Sequence, residues 1–439
     1  MEDTIAAIAT PVGKGGVAIV RISGPDAHAC LDKMFKKENM EMRRMYFGGV
    51  YDGDVLLDKC LCVKFDKGAS YTGEATAEIQ CHGGYASARD ILETALKNGA
   101  RMAESGEFTR RAFVNGRIDL SQAEAVGDMI EADTKSASRA AARILCGTLG
   151  EKIGAFQDRI KELLTEIDAG IDYPDEIDEQ HTSESIKREA QALLPEIDEL
   201  IKGYNKGRIT KDGLKVCLIG KPNAGKSSVL NAIIGNERAI VTPIAGTTRD
   251  TLHEALDFSG IKVHIYDTAG IRESEDIIER AGIERSKLTA EESDLVILIT
   301  DSSRDDDFSW VNKDLFNKKG LFVFNKTDIL RAGERELPSC WQRVDISAKT
   351  GEGIEKITEF IENEAKENDC SSAFAVTSAR HFEALVNAKK SLEACLEDMP
   401  PDILSVDLTD AWTQLGVITG QTVTEDIIDN IFSKFCVGK

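Results

Sequence analysis

Residues 214–228, LKVCLIGKPNAGKSS, decide the fold of the middle of this chain. The apolar run 214–219 predicts a β-strand, and the residues that follow Lys226 predict a helix. Between them, GKPNAGKSS fits the spacing GxxxxGKS, in which backbone N–H groups wrap phosphates at a helix N-terminus. The stretch therefore predicts a P-loop, with Lys226 at the β- and γ-phosphates and the Ser227 hydroxyl on Mg²⁺. An ordinary glycine-rich turn is the alternative, and the motifs downstream argue against it.

Four further motifs follow in order. GTTRD supplies Thr248, which is expected to ligate Mg²⁺ and sense the γ-phosphate, and DTAG supplies Asp267 for the magnesium shell and the Gly270 N–H for the γ-phosphate. NKTD supplies Asp328, which can accept both donors of the guanine edge and so selects GTP over ATP, and SAK (347–349) closes the base pocket. The residues predicted to line the nucleotide site are Asn223, Ala224, Gly225, Lys226, Ser227, Ser228, Thr242, Pro243, Ile244, Ala245, Gly246, Thr247, Thr248, Asp267, Thr268, Ala269, Gly270, Asn325, Lys326, Asp328, Ser347, Ala348 and Lys349.

The residues that would drive hydrolysis are less evident from sequence. Many GTPases place a glutamine just after the DxxG glycine to orient water, and here that position is Ile271. Arg249 and Arg272 are the candidates for an arginine finger. Asn223 either helps to hold a monovalent cation beside the phosphates or is a turn residue tolerant of an unusual backbone. Spacing alone leaves both readings open.

Pattern changes along the chain predict a multidomain α/β plus all-α protein. A mixed α/β region is followed by a long helical pattern that begins at an SQAE capping box (121–124), with a break near Gly147 and Gly150. The region 211–364 alternates strands and helices, which is typical of a doubly wound parallel sheet. The expected domains are 1–117 (α/β), 118–210 (first helical part), 211–368 (inserted Ras-like P-loop domain) and 369–439 (second helical part with the C-terminal tail).

Composition narrows the class of protein. No apolar run approaches the ~20 residues of a membrane span, and the acidic N-terminus lacks a signal-peptide core, so we expect a cytoplasmic protein. Ten cysteines without a CxxC pair support neither a zinc site nor a disulfide framework. The net charge of −22 excludes a general basic surface for nucleic acid. If RNA is a substrate, a local basic patch or a partner must hold it.

Several segments together resemble the tRNA-modification GTPase family MnmE, also called TrmE. They are the P-loop, IVTPIAGTTRD, DTAGIRE with IERAGIERS, the N-terminal YTGE and HGG, GEFTRRAFVNGRIDLSQAEAV, and the ending TEDIIDNIFSKFCVGK. The resemblance spans essentially the whole chain. It implies a folate-binding N-terminal domain that forms a homodimer, a helical domain, and a G domain inserted into it.

The resemblance also implies a function. With an FAD-dependent partner, MnmG (GidA), in a heterotetramer, family members add an aminomethyl or carboxymethylaminomethyl group to C5 of the wobble uridine of certain tRNAs. One carbon comes from 5,10-methylenetetrahydrofolate or a 5-formyl form, and GTP hydrolysis is activated when two G domains meet around K⁺.

Matching motifs carry the family's site residues onto this chain. K⁺ would be held by Asn223, Thr242, Ile244 and Thr247, Mg²⁺ by Ser227 and Thr248, and the water-orienting role would pass to Glu279. The folate pocket would use Arg21, Glu78 and Arg117, and the tail would bring Cys436 as a catalytic thiol and Lys439 as a folate ligand.

Each of these assignments has a simpler alternative. Glu279 could be a solvated helix residue, and Cys436 and Lys439 could be a buried thiol and a helix-capping lysine. For Arg110 and Arg111 we favour a solvated helix face. Two departures from the family pattern, Pro243 in the switch and AEIQCHGG in place of a more usual HGHGG, remove no proposed ligand side chain.

Competing functions survive the motifs. One is a regulatory or ribosome-assembly GTPase, a switch without modification chemistry. Another is a folate-dependent transferase that acts on a protein or a small molecule. The FCVGK ending and the GEFTRRAF segment favour the tRNA-modifying enzyme, since a bare switch requires neither.

Overall fold

A computed structural model describes residues 3–11, 13–173, 179–236, 253–267, 290–304, 308–330, 337, 341–370 and 376–438. The chain forms two compact units. The first contains the described residues of 1–127, 144–193 and 387–439, and the second those of 128–143 and 194–386. Each unit is described by itself.

The described elements mix strands and helices, as the sequence predicts. The strands are β1 (Ile5–Ile8), β2 (Val17–Ser23), β3 (Tyr46–Asp52), β4 (Val55–Phe65), β5 (Thr76–His82), β6 (Arg101–Met102), β7 (Leu214–Ile219), β8 (His253–Phe258), β9 (Ile261–Asp267), β10 (Leu295–Asp301), β11 (Lys319–Asn325) and β12 (Gln342–Asp345). The helices are α1 (Ala27–Met34), α2 (Tyr85–Lys97), α3 (Glu107–Val114), α4 (Leu120–Glu131), α5 (Lys135–Leu145), α6 (Thr148–Asp172), α7 (Glu179–Asp212), α8 (Lys226–Asn236), α9 (Ile354–Glu367), α10 (Ala379–Ala394), α11 (Pro401–Thr419) and α12 (Glu425–Ser433), with a 3₁₀ turn at Lys313–Asn317.

The first unit holds a six-stranded sheet of order β3-β4-β5-β2-β1-β6. Its pairs are antiparallel except β1 with β6. One face carries the main apolar cluster, to which α1 and α2 contribute. On the other face Ile5 and Ala7 of β1 cluster with Phe108 of α3. Because side chains alternate along a strand, this second face also carries Arg21, which pairs in register with Ala7 and with Glu78 of β5.

Between residues 118 and 173 the helical pattern is broken twice. One break follows the prediction: Gly147 adopts a left-handed conformation and α6 begins after it. The other break separates α4 from α5. The predicted capping box at Ser121 is wrong, because α4 already begins at Leu120. Asp119 occupies the cap: its Oδ1 accepts the Gln122 N–H at 2.8 Å, and Gln122 Oε1 accepts the Asp119 N–H at 2.9 Å.

The C-terminal helix of the first unit is anchored by one aromatic side chain. Phe432 of α12 is 2 % exposed and clusters with Leu120 and Ala123 of α4. Its ring also lies 6.3 Å from Phe113 and 5.6 Å from Phe435. This packing is the physical reason that an apolar helix continues almost to the last residue.

The second unit holds a six-stranded sheet of order β12-β11-β10-β7-β9-β8. Among the described strands, neighbours are parallel, except that the edge strand β8 runs antiparallel to β9. β10 is buried at every position, as expected for a central strand covered on both faces. Parallel strands place their carboxyl ends at one edge of the sheet, and in such folds ligands bind there. Among the described residues, no helix is long and apolar enough to cross a membrane.

Candidate nucleotide-binding site

The P-loop connects the carboxyl end of β7 to the first turn of α8. Asn223 and Gly225 both have positive φ, +64° and +97°. A side chain at Gly225 would place its Cβ 2.2 Å from Asn325 Nδ2. Glycine is therefore required here both by conformation and by the close approach of the loop that carries NKTD.

Lys226 is 7 % exposed and folds back over its own loop. Its Nζ donates to the carbonyls of Gly220 at 2.8 Å and Lys221 at 3.2 Å. A buried ammonium beside a loop that leads into a helix N-terminus is an arrangement that binds phosphate.

Ser227 and Asp267 lie side by side. The Ser227 hydroxyl donates to Asp267 Oδ2 at 2.7 Å, and Asp267 is 8 % exposed at the end of β9. Hydroxyl and carboxylate oxygens are the ligands that Mg²⁺ prefers, directly or through water. The donor set therefore fits the predicted magnesium ion.

Asn325 ties the base loop to the phosphate loop. It is 2 % exposed, its Nδ2 donates to the Ala224 carbonyl at 3.0 Å, and its Oδ1 accepts the N–H groups of Lys326 at 2.8 Å and Ala348 at 3.0 Å. Because all three bonds are made by one buried amide, the NKTD loop, the SAK loop and the P-loop are held as one surface.

Lys326 makes a second connection between the NKTD loop and the P-loop. Its Nζ donates to the Asn223 carbonyl and to Asp301 Oδ2, both at 2.7 Å. Burial works against ionisation of Asp301, but hydrogen bonds from Lys326 and Ser303 hold its pKa below the usual 3.8. Sequence reasoning missed Asp301. Its position at the carboxyl end of the buried strand β10 is the signal that would have found it.

The base-reading residues occupy an open edge of this surface. Asp328 is exposed, and its Oδ1 accepts the hydroxyl of the fully buried Ser347 at 2.8 Å. Fixing one carboxylate oxygen orients the group toward incoming donors. Lys349 is exposed beside it.

Several predicted residues lie outside the described residues. They are Thr242, Pro243, Ile244, Ala245, Gly246, Thr247, Thr248, Thr268, Ala269, Gly270, Glu279 and Lys439. Ile271, Arg249 and Arg272 lie outside them as well.

A second polar site lies in the first unit. Arg21 Nε donates to Glu78 Oε1 at 2.9 Å, with the two side chains 21 % and 14 % exposed. The guanidinium carbon of Arg21 lies 5.4 Å from the ring centroid of Tyr71 and 5.7 Å from that of Phe108. Tyr71 in turn contacts Thr109, with 3.0 Å between their hydroxyl oxygens. Arg21 is thus oriented by a carboxylate and two rings while part of it stays accessible.

The aromatic neighbours of Arg21 were not predicted as site residues. Tyr71 lies in YTGE and Phe108 in GEFTRRAF, two segments already distinctive in the sequence. Arg117 is exposed, and its side chain approaches Gly73, since a Cβ built there would lie 3.1 Å from Arg117 Cγ.

The C-terminal tail docks onto the first sheet. Val437 forms an antiparallel bridge with Ser105, and the Gly106 N–H donates to the Cys436 carbonyl at 3.4 Å. Gly438 has a φ of +99°, and a Cβ there would lie 2.2 Å from the Ile8 carbonyl oxygen. The tail therefore runs between the start of α3 and the end of β1. The Cys436 residue is exposed, so the alternative of a buried thiol is wrong.

The expectation for Arg111 is also wrong. Its side chain is completely buried, not solvated, and pairs with Asp3 at 2.8 Å, Glu74 at 3.0 Å and Glu107 at 2.9 Å. Arg110 is part-exposed and pairs with Asp429 of α12 at 2.8 Å. Buried arginines need carboxylate partners, and a single sequence does not reveal which carboxylates the fold brings together.

The P-loop, the paired Ser227 and Asp267, and the Asp328 carboxylate on a parallel sheet define a P-loop guanine-nucleotide-binding protein. Comparison with known proteins refines that class. The family model "GTP-binding protein TrmE N-terminus" matches residues 4–117, and "MnmE helical domain" matches residues 120–436. The chain belongs to the MnmE family of tRNA modification GTPases.

Similar proteins match over their whole length. The tRNA modification GTPase MnmE of Clostridioides difficile is 42% identical over 100% of this chain and 100% of its own. The proteins of the same name from Thermoanaerobacter sp. and Acetivibrio thermocellus are 42% and 41% identical over 100% of this chain and 99% of theirs.

Proposed function

We propose that this chain is a GTP hydrolase that acts in modification of the wobble uridine of tRNA. In this proposal it works with an FAD-dependent partner and adds an aminomethyl or carboxymethylaminomethyl group at C5. The full-length likeness to relatives named tRNA modification GTPases supports the class. The observation that supports the proposal is the docked tail: Val437 bridges Ser105, and Gly438 lies against the end of β1, in the sheet whose inner strands β2 and β5 carry Arg21 and Glu78.

In the nucleotide site the chain's own groups divide the work. Lys226 would neutralise charge at the β- and γ-phosphates. Ser227 and Asp267 would hold the magnesium shell, which Thr248 would complete. Asp328, oriented by Ser347, accepts the two donors of guanine. Asn223 presents an exposed side chain beside the loop, where it would join Thr242, Ile244 and Thr247 around K⁺.

A monovalent cation would supply the charge that an arginine finger supplies elsewhere. Glu279 would orient the attacking water in place of the missing glutamine. We expect GTP turnover to be faster in K⁺ than in Na⁺ at equal ionic strength, and Glu279→Ala to remove the stimulated part. Asn223→Ala should lower the K⁺ dependence while GTP affinity in Na⁺ stays close to that of the unchanged protein. Equal turnover in the two salts contradicts the cation part of the proposal.

The second polar site would bind the folate. A folate supplies a one-carbon unit when bound, and its glutamate carboxylates suit the planar fork of arginine. Arg21 and Arg117 would take the carboxylates, Glu78 would hold Arg21 in place, and Lys439 would reach in from the tail. The exposed Cys436 thiol would act as nucleophile or proton-transfer group.

The remaining parts of the proposal concern assembly. We propose a homodimer formed through the first unit and a heterotetramer with the FAD-dependent partner, in the cytoplasm. An acidic chain would hold tRNA through a local surface or through that partner.

Mass spectrometry of wobble nucleosides tests the proposal. tRNA would be compared from strains with the gene intact, deleted, or lacking only the codons for residues 436–439. Loss of the modification on deletion, with no rescue by the truncated, GTP-hydrolysing protein, is the expected result. Unchanged uridines on deletion would favour the alternative, a regulatory or ribosome-assembly switch. Rescue by the truncated protein would assign the tail a structural role only.

A further inference from the structure

Phe435 lies just beyond the last helix of the first unit and immediately before Cys436. Helix α12 ends at Ser433, so Phe435 adds no turn to it. Its N–H donates to the carbonyl of Phe432 at 3.0 Å, where the chain leaves the helix. The helix is anchored without Phe435, because Phe432 is 2 % exposed against α4. The contacts of the Phe435 ring therefore belong to the tail.

Two glycines meet the Phe435 side chain at its two ends. A Cβ built at Gly106 would lie 3.0 Å from Phe435 Cβ, and a Cβ built at Gly127 would lie 3.3 Å from Cζ, the tip of the ring. The side chain therefore extends from the start of α3 to α4. The ring is part-buried, and its centroid lies 5.6 Å from that of Phe432.

Glycine has a different reason to stand at each end. Gly106 has a φ of +64°, and a Cβ there would also lie 2.6 Å from the Phe432 carbonyl oxygen, so the backbone itself requires glycine. Gly127 lies inside α4 and has no positive φ. Glycine is among the least favourable residues in a helix interior. At Gly127 the space that glycine leaves is taken by the tip of the Phe435 ring.

The chain at Cys436 is attached on both sides. Before it, the Phe435 side chain lies between the two glycines, and after it Val437 and Gly438 dock on the first sheet. The polar contact of Cys436 with Gly106 is long, 3.4 Å against a usual range of about 2.7–3.2 Å. The Cys436 residue is exposed, so its own packing does not fix it. Its neighbours set its position.

We propose that Phe435 is a positioning residue: its ring, seated between Gly106 and Gly127, fixes where the tail presents the Cys436 thiol. The part of the inference that concerns modification rests on the proposed function, and the seat itself does not.

Amide hydrogen exchange at Gly106 in the full chain measures docking, because this N–H donates to the Cys436 carbonyl. Phe435→Ala should lower the protection of that amide about five- to tenfold, as expected for loss of a part-buried phenyl ring. Phe435→Met puts an adaptable apolar chain in place of the ring and should keep most of the protection. The midpoint of urea unfolding should change little in either variant, since Phe432 keeps α12 packed.

Substitutions at Gly127 test the same contact from the other side, with Gly154 as the matched control. Gly154 lies inside α6, and a Cβ there would meet no heavy atom within 4 Å. Gly127→Leu should displace the ring and lower the protection of Gly106 by a factor similar to that of Phe435→Ala, whereas Gly154→Leu should not. Gly127→Ala asks the ring to shift only slightly and should be tolerated. In a chain that already carries Phe435→Ala, Gly127→Leu should lower protection no further, because the contact is already lost.

Returning the variants to the deletion strain and measuring wobble nucleosides separates positioning from stability. The modification should fall with Phe435→Ala and Gly127→Leu and persist with Phe435→Met and Gly154→Leu. The inference is overturned if Phe435→Ala leaves Gly106 protected, if Gly154→Leu lowers protection as Gly127→Leu does, or if protection falls while the modification persists. If the unchanged chain restores nothing, the proposed function is wrong, and the exchange measurements alone decide whether Phe435 holds the tail.

Discussion

Replacing Gly438 by alanine should abolish tail docking while leaving the fold almost unchanged. The residue has a φ of +99°, and the added Cβ would lie 2.2 Å from the Ile8 carbonyl oxygen, a backbone atom that cannot turn aside. The left-handed conformation alone costs an alanine about 1–2 kcal/mol, and the overlap adds to it. The tail will therefore leave its place rather than accept the strain.

The loss in the free energy of unfolding is limited to what docking of the C-terminal tail contributes. The Gly106 N–H loses a 3.4 Å hydrogen bond to Cys436, a contact worth about 0.5–1 kcal/mol at most. Phe432 stays buried, so α12 should remain packed. We expect the free energy of unfolding to fall by about 1 kcal/mol or less.

A matched control comes from Gly99, which has a φ of +113° but no heavy atom within 4 Å of an added Cβ. Gly99→Ala places an alanine in a left-handed backbone conformation without any steric clash of its Cβ. It should therefore lose about 1–2 kcal/mol of stability and keep its function. Gly438→Ala should instead lose about 1 kcal/mol of stability or less and lose its function.

Hydrogen exchange at the Gly106 amide, urea unfolding and wobble-nucleoside mass spectrometry measure the three effects. Gly438→Ala should lose protection at Gly106 and fail to restore the modification in a deletion strain. If Gly106 stays protected, the steric argument is wrong. If protection is lost and modification persists, the tail has no part in the chemistry.

Three further outcomes test other features. Asp328→Asn should lower the affinity for GTP about 10- to 100-fold and raise the affinity for xanthosine triphosphate, because the amide N–H donates a hydrogen bond where the carboxylate accepted one. Competition binding measures both affinities, and an equal loss for the two nucleotides would contradict the prediction. Burial opposes ionisation of Glu107, but hydrogen bonds from two arginines hold its pKa below the ordinary 4.5, so its contribution is present at neutral pH and is lost as pH falls through the lowered value. Glu107→Gln should therefore lower the free energy of unfolding in urea by about 2 kcal/mol at pH 7, and this difference should shrink as pH falls below 4.5. A difference that stays constant with pH would refute the assignment of Glu107 to an ion pair. Iodoacetamide should label the exposed Cys146 and Cys436 in the native chain and should not label Cys30, because burial raises the pKa of the Cys30 thiol to about 11. Peptide mass spectrometry measures the labelling, and a comparable rate at Cys30 would contradict the prediction.

The described loops of the candidate nucleotide site were predictable because short, ordered motifs encode them. The backbone loop around Lys226 and the carboxylate of Asp328 each occupy a fixed offset from a strand or helix. Long-range partners were not predictable in the same way. Asp301 stands far from Lys326 in sequence, and only the parallel register of β10 and β11 brings their side chains together.

The helical region shows the limit of local rules. SQAE satisfies the capping-box pattern, yet Asp119 and Gln122 form an equally good box two residues earlier, and the structure uses that one. The prediction of a solvated Arg111 was wrong for a different reason. Helical spacing places a charge on a face, but burial of that face depends on Asp3 and Glu74, which arrive from distant parts of the chain.

The hydrogen bonds of Asn325 to Ala224 and of Lys326 to Asn223 have an energetic consequence for the ligand. The loop that reads the base and the loop that holds the phosphates cannot be ordered separately, since each fixes the other. Occupation of either half should lower the entropic cost of filling the second. Guanosine should then increase the affinity for pyrophosphate, and pyrophosphate should increase the affinity for guanosine by the same factor. That factor gives the coupling free energy between the two loops.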